Sequence, residues 1–106
     1  MASSYDKLCG WAYKTGQTIK EHVNGEDLLR KLIFNIRAEE TPGRFLDKLS
    51  QTIVEYRTNR NIGLNIDIHK DLAREEQPWY ADRFHYMKAA VLIGFANALS
   101  YKSRRR

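Results

Sequence analysis

Cysteine is almost absent from the sequence, and Cys9 is its single example. One cysteine excludes an internal disulfide and a cysteine-based zinc site. This usage is typical of a reducing compartment, so we predict a cytoplasmic protein. The first residues also lack the positively charged start and the apolar run of a secretory signal peptide, and we therefore expect no secretion signal.

Long apolar runs are missing as well. The most apolar stretch, residues 87–99, is broken only by Lys88 and Asn97. It is shorter than the roughly 20 residues that a membrane-spanning helix needs, so we expect no membrane association. A surface helix would carry polar residues along one side. We therefore predict that this stretch is a buried C-terminal helix, against which the other helices pack.

Motifs for catalysis or metal binding are absent from the sequence. None of the three histidines has a second ligand at helical spacing, and no glycine-rich phosphate loop is present. Adjacent carboxylates such as Glu39 and Glu40 do not face each other on a helix. Cys9 lies in an amphipathic segment, which favours a buried thiol over a nucleophile. We therefore predict a protein that is not an enzyme and that has no cofactor and no metal site.

The chain has 106 residues, which is the length of one domain with one modest core. Hydrophobic residues make up 42% of it, enough for a globular fold and too much for a disordered chain. We predict a single helical domain over residues 1–101 and a basic C-terminal tail over residues 102–106. The tail contains three consecutive arginines.

Apolar residues at spacings of three and four predict four main helices, and a fifth, short helix is expected before the last. Asn24 and Gly25 are predicted to break the chain between the first two helices. Thr41 and Pro42 are residues that typically begin a helix. The fold class is therefore all-α, a small helical bundle of four to five helices. The predicted ranges are residues 5–23, 26–37, 42–58, 67–75 and 79–101.

Alternating apolar residues follow the third helix, at Ile62, Leu64, Ile66 and Ile68. Such alternation is typical of a β-strand, but no second strand is predicted to pair with it. We therefore expect a partly buried connector at this point in the chain.

Positive charge exceeds negative charge only moderately. The net charge is +5, from 18 basic and 13 acidic residues, and three of the positive charges come from the consecutive arginines 104–106. Residues 28–60 contain seven basic and four acidic residues. An ordinary solvated surface would have this composition, and so would a strip that contacts nucleic-acid phosphates without reading sequence. The candidate phosphate-contacting residues are Arg30, Lys31, Arg37, Arg44, Lys48, Arg57 and Arg60.

An aromatic group near the start of the last predicted helix has two interpretations. Trp79, Tyr80, Phe84 and Tyr86 lie among basic residues, and this mixture can stack on single-stranded bases. The alternative is that Trp79, Tyr80 and Phe84 pack against the start of the buried helix, and we favour this packing.

Four stretches of the sequence resemble a known family. They are residues 28–38 (LLRKLIFNIRA), 44–49 (RFLDKL), 79–84 (WYADRF) and 90–95 (AVLIGF). Together they resemble the C-terminal helical region of the large subunits of type I CRISPR effector complexes. In several subtypes this region is also made as a separate small subunit.

The resemblance implies a non-catalytic role in antiviral defence. A small subunit of this kind is present in several copies, beside the large subunit and the backbone subunits of the complex. It braces the backbone that carries the guide RNA, and its basic side chains contact target or displaced DNA strands. Base pairing with the guide then reads the sequence.

Two other functions stay open at the level of sequence. The first is a small helical adaptor that binds proteins and has no role with nucleic acid. The second is a helix-turn-helix regulator, with its turn at residues 24–25 or 41–43. The helices that follow these turns carry few polar residues for reading bases on one face, which disfavours the regulator.

Overall fold

A computed structural model describes residues 4–73 and 83–101. These two ranges contain five helices and no strand, which confirms the predicted all-α class. None of these five helices is both long enough and apolar enough to cross a membrane. The helices are α1 (Ser4–Lys20), α2 (Gly25–Arg37), α3 (Pro42–Arg60), α4 (Ile68–Ala73) and α5 (Phe84–Ser100).

The turn between α1 and α2 comes earlier than the sequence predicts. α1 ends at Lys20, and Val23, which apolar spacing assigned to the inner face of this helix, is instead 69% exposed. The chain reverses through Asn24, which has the left-handed backbone conformation with φ 58°. A Cβ atom on Gly25 would overlap the carbonyl oxygen of Ile19. Glycine therefore lets α2 begin directly against the end of α1, and the first helix has no room to continue.

Local sequence signals account for the start of α3. The hydroxyl of Thr41 accepts a hydrogen bond from the backbone N–H of Arg44, and Pro42 occupies the first turn. Both features are as predicted. The helix ends at Arg60, and Asn61, with φ 52°, terminates it in the left-handed conformation.

α2 and α3 pack side by side in antiparallel orientation. The side-chain amide of Asn35 donates to the hydroxyl of Thr52 at 3.3 Å. At the other end of the pair, the hydroxyl of Tyr56 donates to the carbonyl of Val23. These two contacts set the face of α3 that packs against α2.

α5 lies in the core, as predicted, and its most extensive contact is with α1. Met87, Val91 and Phe95 on α5 are fully buried. Gly94 packs against Ala12, and Ala98 packs against Gly16. Since residue numbers rise together along both helices, α1 and α5 run parallel. α2 also packs against α5, through a smaller interface than that of α1.

Lys20 of α1 caps the C-terminal end of α5. The Nζ atom of Lys20 lies 2.8 Å from the carbonyl oxygen of Ala98 and 2.8 Å from that of Tyr101. The last carbonyls of a helix have no partner within the helix, and they carry partial negative charge. The ammonium group of α1 therefore caps the C-terminal end of α5.

The segment between α3 and α4 is the partly buried connector that the sequence predicts. Leu64 and Ile68 are buried, while Ile62 and Ile66 are half-buried against the core. The carboxylate of Asp67 accepts a hydrogen bond from the backbone of residue 70 and caps α4. The predictions for residues 74–82 and for the tail over residues 102–106 lie outside the described residues.

Candidate nucleic-acid interface

The outer face of α2 is set by the apolar residues of its inner face. Leu28, Leu29, Leu32 and Ile36 are buried and turn this helix toward the core. The residues on the opposite side therefore face solvent. Among them are three candidate contact residues, all exposed, which are Arg30, Lys31 and Arg37.

Arg30 has two carboxylate neighbours on its own helix. Its Nη1 atom lies 3.8 Å from Glu26 Oε1 and 3.7 Å from Asp27 Oδ1. The Arg30 side chain is 58% exposed. Exposed ion pairs of this kind contribute only about 0.2–1 kcal/mol, so they leave Arg30 available to a ligand.

Arg37 contacts an exposed aromatic ring. Its Cζ atom lies 5.1 Å from the centre of the Phe34 ring. Phe34 is 65% exposed. Phe34 is not among the candidate residues predicted from the sequence, although its position off the apolar stripe of the second helix was a signal. A large apolar residue outside that stripe is predicted to lie at the surface.

The start of α3 carries a second group of candidate residues. Arg44 Nε lies 3.4 Å from Glu39 Oε1, and the Arg44 side chain is 78% exposed. Lys48 follows one turn later and is half-buried. Lys88, at the start of α5, donates to the Glu39 carbonyl at 2.8 Å. The turn between α2 and α3 is therefore joined to the first turn of α5.

The last turns of α3 place two candidates in different environments. Arg57 is half-buried, and its Nη1 atom donates to the Leu64 carbonyl at 3.1 Å, which ties α3 to the connector. Arg60 is exposed, with its guanidinium 5.3 Å from the centre of the Tyr56 ring. Arg57 thus has a structural contact, whereas Arg60 lies on the surface.

A shallow groove of about 190 Å³ separates the first half of α2 from the second half of α3. It brings Lys31 and Arg60 together from the two helices. Asp27 and Glu55 also line it, so its charge is mixed. A groove with both signs of charge is less attractive to phosphate than the two cations would be alone.

The seven candidates therefore divide by position. Three of them share the outer face of α2, namely Arg30, Lys31 and Arg37. Two more lie near the end of α3, where Arg57 is bonded to the connector and Arg60 lies beside Lys31. Arg44 is separated from Arg60 by 16 residues of one helix, which corresponds to about 24 Å. Their role in binding nucleic acid stays a prediction.

The aromatic group at the start of the last helix is described only in part. Phe84 is buried and packs edge-on against Phe45, with ring centres 5.5 Å apart. The packing interpretation is therefore confirmed for Phe84. Tyr86 is 56% exposed, and the guanidinium of Arg83 lies 5.7 Å from the centre of its ring. Residues 79 and 80 lie outside the described part of the chain.

No group of three or more potential metal ligands lies together within residues 4–73 and 83–101. Cys9 is half-buried, and it packs against the core. His85 is exposed, while His22 is half-buried.

Comparisons with protein-family models, with curated proteins and with solved structures find no match to this chain.

Proposed function

We propose that this chain is a non-catalytic small subunit of an RNA-guided CRISPR interference complex. In this role it braces the assembly beside the large and backbone subunits, in several copies. Its basic side chains contact the backbone of target or displaced DNA. The proposal starts from the resemblance of residues 28–38, 44–49, 79–84 and 90–95 to the helical region of the large subunit.

One observation carries the proposal beyond that resemblance. Five of the seven candidate cations on α2 and α3 have exposed side chains. Exposed arginine and lysine side chains can bind phosphates without any rearrangement of the core, and such contacts supply affinity that is independent of sequence. The exposed candidates are Arg30, Lys31, Arg37, Arg44 and Arg60.

The helical architecture fits a bracing role. The α1–α5 interface and the buried face of α2 fill the core, so the remaining surfaces of α2 and α3 are available to neighbours. A rigid bundle holds its surface side chains at fixed positions, which is what a subunit that aligns other components requires.

Purification of the tagged chain from its native host tests the proposal. The expected result is recovery of several protein subunits together with one class of short guide RNA, in stoichiometric amount. Recovery of a protein partner without RNA, in purifications done both with and without a nuclease inhibitor, would contradict the proposal. That result would instead support the alternative of a helical adaptor for proteins.

A further inference from the structure

An aromatic ring on the outer face of α2 has no role in the core. Phe34 is 65% exposed, while the buried residues of α2 lie on the opposite side of the helix. A single exposed apolar side chain is ordinary in a folded protein. The number of cations nearby distinguishes Phe34 from Tyr86, another exposed aromatic side chain, which has the guanidinium of Arg83 beside its ring.

Three cations border the Phe34 ring. Arg30 and Lys31 precede it by four and three positions, and Arg37 follows it by three. Residues at these spacings are neighbours on a helix surface. Ile93 on α5 provides the contrast, because it is 44% exposed and no charged residue lies three or four positions from it.

The charge around the ring is only partly neutralised. Neither Lys31 nor Arg37 makes an ion pair with any residue that the structure describes. Arg30 pairs with Glu26 and Asp27, which lie toward the N-terminal end of α2 and away from Arg37. Arg37 therefore borders Phe34 without an ion-pair partner among the described residues, whereas Lys31 also borders the mixed-charge groove that Asp27 and Glu55 line.

The combination of one aromatic ring and bordering cations matches the chemistry of single-stranded nucleic acid. An unpaired base offers a π-face to an aromatic side chain, while the adjacent phosphates bind lysine and arginine. In a duplex both faces of each base are stacked on other bases. Arg37 covers part of the Phe34 ring at 5.1 Å, and the exposed remainder of the ring is open to a base.

We propose that Phe34 stacks on an unpaired base of a single-stranded nucleic acid while Lys31, Arg37 and Arg30 hold the neighbouring phosphates. This inference rests on the proposed function and adds the form of the strand that is bound. It also assigns a residue that contributes to affinity by stacking rather than by charge.

Titration of the full chain with fluorescent oligo-dT, oligo-rU and a dA·dT duplex at several salt concentrations tests the inference. We expect Phe34→Ala to weaken binding of one or both single strands by roughly 5- to 100-fold, the range that one stacked base contributes. The dependence of affinity on salt should not change, because stacking releases no counterions. The paired variant Lys31→Ala/Arg37→Ala should instead reduce the slope of log K against log salt by about 1.4, or about 0.7 for each lost phosphate contact.

Conservative variants separate stacking from general apolar contact. Phe34→Tyr should keep the affinity, whereas Phe34→Leu should lose it although it remains apolar. Ile93→Ala is the matched control at an exposed apolar position and should bind like the original chain. All these variants change surface side chains, so equal melting temperatures will show that the fold is intact.

The outcomes also separate this inference from the function it rests on. Unchanged single-strand affinity in Phe34→Ala would overturn the stacking role, while binding by the original chain would leave the proposed phosphate contacts in place. Unchanged single-strand affinity of Phe34→Leu would overturn it too, because leucine is apolar but cannot stack on a base. Absence of any binding by the original chain at low salt would contradict both the stacking role and the proposed contact with nucleic acid.

Discussion

Gly94 of α5 lies directly against Ala12 of α1, so close that a Cβ atom added at Gly94 would come within 2.6 Å of the Ala12 Cβ. The same Cβ would overlap the carbonyl oxygen of Cys9. One turn later the arrangement repeats with the roles exchanged, because a Cβ on Gly16 would lie 2.6 Å from that of Ala98. Small residues on both helices therefore allow their backbones to approach closely along a parallel crossing.

Enlarging residue 94 should destabilise the bundle. We expect Gly94→Leu to lower the free energy of unfolding by at least about 1–3 kcal/mol, because the added atoms overlap backbone that cannot move independently. Urea denaturation followed by circular dichroism will measure the change. Gly10→Ala is the matched control, since a Cβ there meets nothing within 4 Å. That variant should be stabilised by about 0.4–1 kcal/mol, through reduced freedom of the unfolded chain. Equal stability of Gly94→Leu and the original chain would show that this crossing does not exist.

Lys20 lies on α1, but we expect it to stabilise the fold by capping α5. Lys20→Met keeps most of the side-chain length but removes the hydrogen bonds to the carbonyls of Ala98 and Tyr101. We expect a loss of about 1–2 kcal/mol in unfolding free energy, as measured by thermal or urea denaturation. Lys14→Met on the same helix is the control, because its side chain is exposed and surface changes usually fall within about 0.5 kcal/mol. If the two variants are equally stable, the cap on α5 contributes nothing.

Reversing charge at the start of α3 should weaken DNA binding by the assembled complex and leave the fold intact. Arg44→Glu/Lys48→Glu removes two predicted phosphate contacts and adds repulsion. We expect a lower affinity at low salt, measured by filter binding or fluorescence anisotropy. The slope of log K against log salt should fall by the amount that about two phosphate contacts contribute.

The control for this pair lies on α1. Lys7→Glu/Lys14→Glu changes net charge by the same amount at exposed positions outside α2 and α3. This variant should keep most of the affinity. Unchanged binding by the α3 pair at low salt, or equal losses in both pairs, would show that the contact surface has been placed on the wrong helix.

Arg57 and Arg60 should respond differently to removal of their charge. Arg57→Met loses the hydrogen bond to the Leu64 carbonyl and should cost about 1–2 kcal/mol of stability. Arg60→Met loses only the contact of its guanidinium with the Tyr56 ring, which is worth about 0.5–1 kcal/mol. Chemical denaturation of the two variants gives the comparison. A larger loss for Arg60 would contradict the tethering role of Arg57.

Local signals in the sequence predicted the first residues of α2, α3 and α4 to within one position, although not that of α5, which begins at Phe84 and was predicted to begin at residue 79. Thr41 and Pro42 begin α3, and Asp67 caps α4, because these residues act on backbone atoms a few positions away. Such short-range hydrogen bonds follow from residue type and spacing alone. The end of α1 was misplaced for a different reason. Apolar spacing extended it to Val23, whereas contact between Gly25 and the backbone of Ile19 decides where the chain turns.

Long-range pairing could not be predicted from the sequence. Lys20 and Ala98 are 78 positions apart, and no periodic pattern indicates that a lysine in one helix caps another. Contacts between distant residues of the candidate site were equally unpredictable from the sequence. Spacing placed Arg30 and Arg37 on one face of α2, but only the folded chain sends Arg57 to the connector and brings Lys31 beside Arg60.

The parallel arrangement of α1 and α5 has a practical consequence for labels and fusions. Residues 4 and 84 begin their helices at one end of the bundle, and residues 20 and 100 end them at the other. Seventeen helical residues span about 25 Å, so Ser4 and Tyr101 lie at opposite ends of the helix pair. A circular permutant would need a linker of at least about eight extended residues across the outside of the bundle. A donor–acceptor pair of dyes at the two positions would instead report directly on whether the first and last helices stay associated.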